Sequence, residues 1–180
     1  MERSALLRLI RVVRVPPSVS VASPRAVDPA GASLFDQIKG MPTASLTRRV
    51  SFSAAHRYSR PDWSGEKNIK VFGACAWPNF HGHTYVCDVT VTGPIDETTG
   101  FVVDLGVLDA ILREQVKDRF DHRNINLDVP EFADGKLVPT GENLARFIFE
   151  RVERELPKPA KVMRVTVGED DSLSATYSRE

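Results

Sequence analysis

The chain has 180 residues, 42% hydrophobic and 27% charged, enough for one ordinary core and too few for two. Its 24 basic and 24 acidic residues cancel, which removes any global electrostatic pull toward nucleic acid or a membrane surface. Two cysteines exclude a disulfide scaffold and fit a reducing compartment, and no apolar run has the length of a membrane span.

Residues 1–44 differ in composition from the rest of the chain. Met1 to Val27 carries five arginines and a single acid, Glu2, and Leu6 to Val15 has the pattern of a basic amphipathic helix. An Arg-rich, acid-poor leader has the composition of an organelle transit peptide. The other reading is a disordered extension, with Met41 as a start just before the first strand. The expected location is cytoplasmic on that reading and organellar on the first, and residues 45–180 are expected to form one domain.

Alternation from Arg49 to His56 predicts a strand ending on a histidine. Arg57 to Asn79 is rich in Pro, Gly, Ser and Lys, and a connection of that length inside a domain is usually functional. It carries Cys75. His81-Gly82-His83 then opens a second alternating run to Thr92, so the two imidazoles share a face with Cα atoms about 6.6 Å apart. If the strands pair, His56 completes a three-nitrogen set with an open fourth position, as a catalytic metal requires. Imidazole favours zinc and also suits iron, copper or nickel. Cys87 has the same parity but lies about 13 Å beyond His83 along the strand, and reads as a small buried hydrophobe.

After a turn at Gly93-Pro94, Leu105, Leu108, Ile111, Leu112 and Val116 mark one face of a helix ending near Phe120. Asp121 to Asp128 reads as a polar loop. Thr140 is a candidate N-cap for a second helix with the stripe Leu144, Ile148, Val152 and Leu156, stopped by Pro157. Ala160–Gly168 and Ser172–Ser178 then read as a hairpin turning at Glu169-Asp170-Asp171. The order is ββααββ, an α+β domain.

The combination Phe52-Ser-Ala-Ala-His56-Arg, Phe72-Gly-Ala-Cys75, Pro78-Asn79, His81-Gly-His83-Thr-Tyr85, Thr99-Gly100, Asp121-His122-Arg-Asn124, Thr140-Gly-Glu-Asn143 and Glu169 resembles the 6-pyruvoyl tetrahydropterin synthase family, which includes 6-carboxytetrahydropterin synthases. The resemblance implies the tunnelling fold (T-fold), a four-stranded antiparallel sheet with two helices on one face, assembled as a homohexamer of two trimers with sites between subunits. It implies Zn2+ on His56, His81 and His83, Cys75 as general base, Asp121 and His122 as a supporting dyad, and Glu169 with Thr140 as the pterin anchor. The implied reaction is conversion of 7,8-dihydroneopterin triphosphate to 6-pyruvoyl-tetrahydropterin with release of triphosphate, in tetrahydrobiopterin synthesis. Arg57, Lys67 and Lys70 are candidates for holding that triphosphate.

The sequence departs from the family at Ala76-Trp77, Phe80, Gly141 and Asp170, none of which removes a ligand or the base. The six-residue step from Cys75 to His81 matches the pyruvoyl-forming branch; the alternative is the acetaldehyde-releasing carboxy-forming enzyme of queuosine synthesis. A cupin-type oxygenase would need a carboxylate where Tyr85, Val86 and Cys87 stand. A non-catalytic pterin- or zinc-binding module would have no need of Cys75, Asp121 and His122 together.

Overall fold

The computed structural model describes residues 40–179, so the expected leader, up to residue 39, lies outside the described residues. Thr43 and Ala44, expected to belong to the extension, are already paired with Pro94 and Gly93.

Two long strands form the centre. β1 (Thr43–His56) and β2 (His81–Pro94) pair antiparallel along their whole length, and the register sets His56 opposite His81 and Ala54 opposite His83. β4 (Lys161–Gly168) continues the sheet from β2, with a bulge at Thr90/Val91, and β5 (Ser174–Ser178) pairs with β4 as the expected hairpin. The sheet has five strands rather than four. A two-residue β3 (Arg123–Asn124) runs parallel to β1 at Ala54 and Ala55, giving the order β3-β1-β2-β4-β5. The stretch read as a polar loop thus holds β3 and a short helical turn, Ile125–Asp128.

A further helix, α1 (Gly65–Phe72), lies inside the segment read as a loop. α2 (Leu105–Leu112) starts where Asp104 accepts a hydrogen bond from the Val107 amide. It continues through a wide π turn at Arg113–Lys117 and ends at Asp118–Phe120. Leu108, Leu112, Val116 and Phe120 recur every four residues, a spacing that drifts round an ideal 3.6-residue helix. The π turn absorbs that drift, and all four stay in the core. α3 (Gly141–Glu155) begins at Thr140, whose hydroxyl accepts from the Asn143 amide, and buries the whole predicted stripe.

Both long helices cover one face of the sheet. Phe52, Ala54, Tyr85, Cys87, Val89, Val91, Val165 and Val167 meet them there, with Phe52 stacked between Tyr85 and Phe120. The opposite face is polar, with Arg49 paired to Asp88 and Thr166 to Thr176. No helix among the described residues is long and apolar enough to cross a membrane.

Candidate metal centre and adjoining pocket

Strand period places His56, His81 and His83 on the helix-covered face at the open end of the β1–β2 pair. One nitrogen from each lies within 4.8 Å of the others, and His56 Nε2 is 2.9 Å from His81 Nε2. His56 has no exposed surface. Its Nδ1 lies 3.2 Å from the Pro139 carbonyl and 2.9 Å from the Tyr85 hydroxyl. A carbonyl only accepts, so Nδ1 carries the proton and Nε2 presents a lone pair. Burial first, then the neighbouring His81, lowers the His56 pKa to about 4 and keeps the ring neutral. Burial and His83 also lower the His81 pKa. His83 Nε2 is buried with no hydrogen-bond partner. Two close, lone-pair-bearing nitrogens beside a third unpartnered one suit a cation between them, so these residues fit a metal ion. Cys87 is fully buried away from this cluster, and burial pushes its thiol up to about 12, as befits a core hydrophobe.

Cys75 arrives by a different route. Ser64 caps α1, Gly73 (φ 59°) ends it in the left-handed region, and a 3-10 turn, Gly73–Ala76, carries the cysteine. Three contacts hold this arm. Asn68, nearly buried, accepts from the Arg60 amide and donates to the Arg60 and Ser64 carbonyls. Trp63 stacks on Phe72, and the Tyr58 amide donates to the Cys75 carbonyl at 2.8 Å. The surrounding protein raises the Cys75 pKa, through burial first and the Glu169 carboxylate second. This is opposite to the direction expected from a bound metal or a cationic His122 alone.

A pocket of about 220 Å³ opens next to the cluster, lined by Tyr58, Phe72, Thr140, Glu169, Leu173 and Ala175 among others. It brings together Thr140 and Glu169, the two predicted substrate contacts. Glu169 is 6% exposed, and Oε2 lies 4.0 Å from His83 Nε2. The hairpin fixes it. The Glu169 amide donates to the Leu173 carbonyl, while Asp170 Oδ1 accepts from the Ser172 amide and hydroxyl and the Leu173 amide. Asp170, a departure from the family pattern, thus has a turn-forming role. Gly141, another departure, lets the start of α3 pack closely on β5: a Cβ there would meet Ala175 Cβ at 3.1 Å.

Asp121 and His122 are not brought to this pocket within the chain. Asp121 Oδ1 accepts from the Ser53 amide at 2.9 Å and lies 3.3 Å from His122 Nδ1, while the His122 amide donates to the Ser53 carbonyl. The Ser53 amide first, and the nearby Lys117 ammonium further down, hold the Asp121 carboxyl low against its desolvation. The His122 side chain is 82% exposed and lines a second groove with Ser53, Gly82 and Thr84, and His83 also borders that groove. Among the described residues no hydrogen bond joins it to Cys75 or the three histidines. The triphosphate candidates lie outside the pocket as well: Arg57 sits over the Phe80 ring and Lys67 over the Trp63 ring.

Two local constraints shape His-Gly-His. Phe80 takes φ 59°, a left-handed conformation that glycine adopts more readily than a residue with a Cβ. Gly82 lies where a Cβ would stand 3.0 Å from the Ala54 carbonyl oxygen on the paired strand. Gly82→Ala should therefore push β1 and β2 apart between the His56–His81 pair and His83. Expected are a loss of about 1–3 kcal/mol in urea unfolding and weaker metal retention in dialysis; wild-type values for both would contradict the contact.

Sequence reasoning missed Tyr58, Tyr85 and the Pro139 carbonyl. The tyrosines could have been found by extending the period of two from His56 to Tyr58 and from His83 to Tyr85.

A sequence profile described as 6-pyruvoyl tetrahydropterin synthase matches residues 45–180. A human protein named 6-pyruvoyl tetrahydrobiopterin synthase is 42% identical over 137 residues, which cover 76% of this chain and 92% of that one. The Drosophila melanogaster protein of the same name is 40% identical over 76% of this chain and 80% of its own. The solved structure of Caenorhabditis elegans 6-pyruvoyl tetrahydropterin synthase superposes with a TM-score of 0.73 at 36% identity, covering 78% of this chain and 98% of that one. On the profile match, the identity to these relatives and the shared fold, the chain belongs to the 6-pyruvoyl tetrahydropterin synthase family.

Proposed function

We propose that this protein converts 7,8-dihydroneopterin triphosphate to 6-pyruvoyl-tetrahydropterin, releasing triphosphate, with zinc held by His56, His81 and His83. The observation that carries this reading is a buried carboxylate, Glu169, 4.0 Å from a histidine of the candidate metal centre. A flat heterocycle anchored on that carboxylate has its side chain beside the metal. The family membership and the 42% identical human relative agree with it.

Glu169 and Thr140 bind and orient the pterin, the carboxylate accepting two parallel hydrogen bonds from adjacent N–H groups. When bound, the zinc supplies Lewis acidity that makes protons on the substrate's hydroxylated side chain easier to remove. Cys75 Sγ takes such a proton as thiolate. His122, oriented by Asp121, relays protons back. The diol carbons are oxidised as the ring is reduced and triphosphate leaves, so no external reductant is consumed.

The outward-facing His122 supports a site shared between copies, with Asp121 and His122 of one chain serving the metal centre of another in a homohexamer. A second chain's His122 and the bound cation then provide the positive charge that lowers Cys75, against the upward push of its own chain.

The test is mass spectrometry of products after incubating zinc-loaded protein with 7,8-dihydroneopterin triphosphate. A 6-pyruvoyl product is expected. Formation of 6-carboxytetrahydropterin and acetaldehyde would replace the product assignment, and unchanged substrate with zinc bound would overturn the reaction.

A further inference from the structure

The pocket contains a group that takes part in none of these steps. Tyr58 lies two residues beyond His56, and its hydroxyl donates to Glu169 Oε1 at 2.9 Å. Its ring is held on both sides. One edge contact is to His56, with centroids 4.8 Å apart; another is to Phe72, at 5.9 Å, itself stacked on Trp63. Tyr58 is only partly buried and lines the pocket instead of filling the core. A carboxylate only accepts, so the phenol O–H is the donor in this bond.

We propose that Tyr58 is a positioning and specificity-determining residue, which fixes the Glu169 carboxylate for a heterocycle presenting two adjacent N–H donors; this role rests on the pterin reading of the pocket. A carboxylate has two oxygens, each with two acceptor sites. Tyr58 occupies one site on Oε1. Its O–H stops the carboxylate from rotating freely and shares the loss of solvent when Glu169 is buried. The sites left are those a paired-donor edge would use, and a ring with an acceptor in place of either N–H meets an unpaired lone pair. The phenol oxygen also keeps a lone pair for a third N–H of the ligand.

Because Tyr58 acts on binding rather than on proton transfer, the variant to make is Tyr58→Phe, which keeps both ring contacts. Its KM for 7,8-dihydroneopterin triphosphate should rise about 10- to 100-fold, the range for a hydrogen bond to a charged group. Its kcat should stay within about 3-fold. The Kd of unphosphorylated 7,8-dihydroneopterin, measured by Trp fluorescence or calorimetry on the metal-loaded protein, should rise by the same factor as KM. Zinc content and Tm serve as the folding control.

A double-mutant cycle covers a misfolded single variant. Against a Glu169→Gln background, Tyr58→Phe should add less than about 3-fold, because the carboxylate it serves is gone. Unchanged KM and Kd in Tyr58→Phe would overturn the proposal, as would full additivity in the cycle or a fall confined to kcat. Failure of zinc-loaded wild-type protein to bind dihydroneopterin would instead overturn the pterin reading, and this proposal with it.

Discussion

Cys75→Ala should lower turnover of 7,8-dihydroneopterin triphosphate by about 10²- to 10⁴-fold, the contribution of one positioned acid–base group, while metal content stays at the wild-type level. The two readouts separate because the cysteine and the ligands belong to different elements. The three histidines sit on paired strands, whereas Cys75 rides on the 3-10 turn after α1 and is not part of the close nitrogen cluster. Truncating the side chain leaves the Tyr58 amide bonded to the residue 75 carbonyl, so the arm keeps its course. Steady-state kinetics beside elemental analysis decides the matter. Turnover within about 3-fold of wild type would remove the base assignment, and parallel loss of zinc would move Cys75 into the ligand set.

The second large effect is expected at His56. His56→Ala should take the metal content of dialysed protein from the wild-type level to near zero and abolish turnover. It should also weaken the fold, unlike a substitution at the surface. His56 is fully buried, and its loss leaves the Tyr85 hydroxyl and the Pro139 carbonyl without their partner, at about 1–3 kcal/mol for each group left unsatisfied. The same residue makes metal-free protein acid-sensitive. Its folded-state pKa of about 4 lies below the ordinary 6.5, so the unfolded chain takes up the proton first. Its contribution is fully present above pH about 6.5 and lost as pH falls toward 4. The urea midpoint of metal-free wild-type protein should therefore drop between pH 7 and pH 4.5. His56→Ala should flatten that part of the profile, and an equal drop in both proteins would place the sensitivity elsewhere.

Much of this arrangement was legible because strands have a period of two. That period put His81 and His83 on one face and carried Phe52 and Ala54 into the core, and a four-residue stripe announced α2 and α3. What could not be read is what distant parts of the chain impose. β3 exists through two residues paired with β1, and nothing local in Arg123-Asn124 demands extension. α1 was hidden because its order comes from Asn68 bridging the loop backbone and from Trp63 on Phe72, contacts that hydrophobic spacing does not encode. The bond from Tyr58 to Glu169 spans 111 residues. Asp121-His122 was recognisable as a dyad, but its place on the open side of β1 follows from the Ser53 contacts, which only the register reveals.

The contrast between the two sulfur atoms has a practical outcome. The sequence holds only Cys75 and Cys87; one is partly open to solvent and the other is sealed in the core. A maleimide or aromatic disulfide added to the native enzyme should consume one equivalent per chain, and a second only after urea. The reagent therefore titrates competent protein directly, because a chain whose core has opened reports two equivalents instead of one. Protection of that single equivalent by a bound pterin would measure occupancy of the pocket without any turnover.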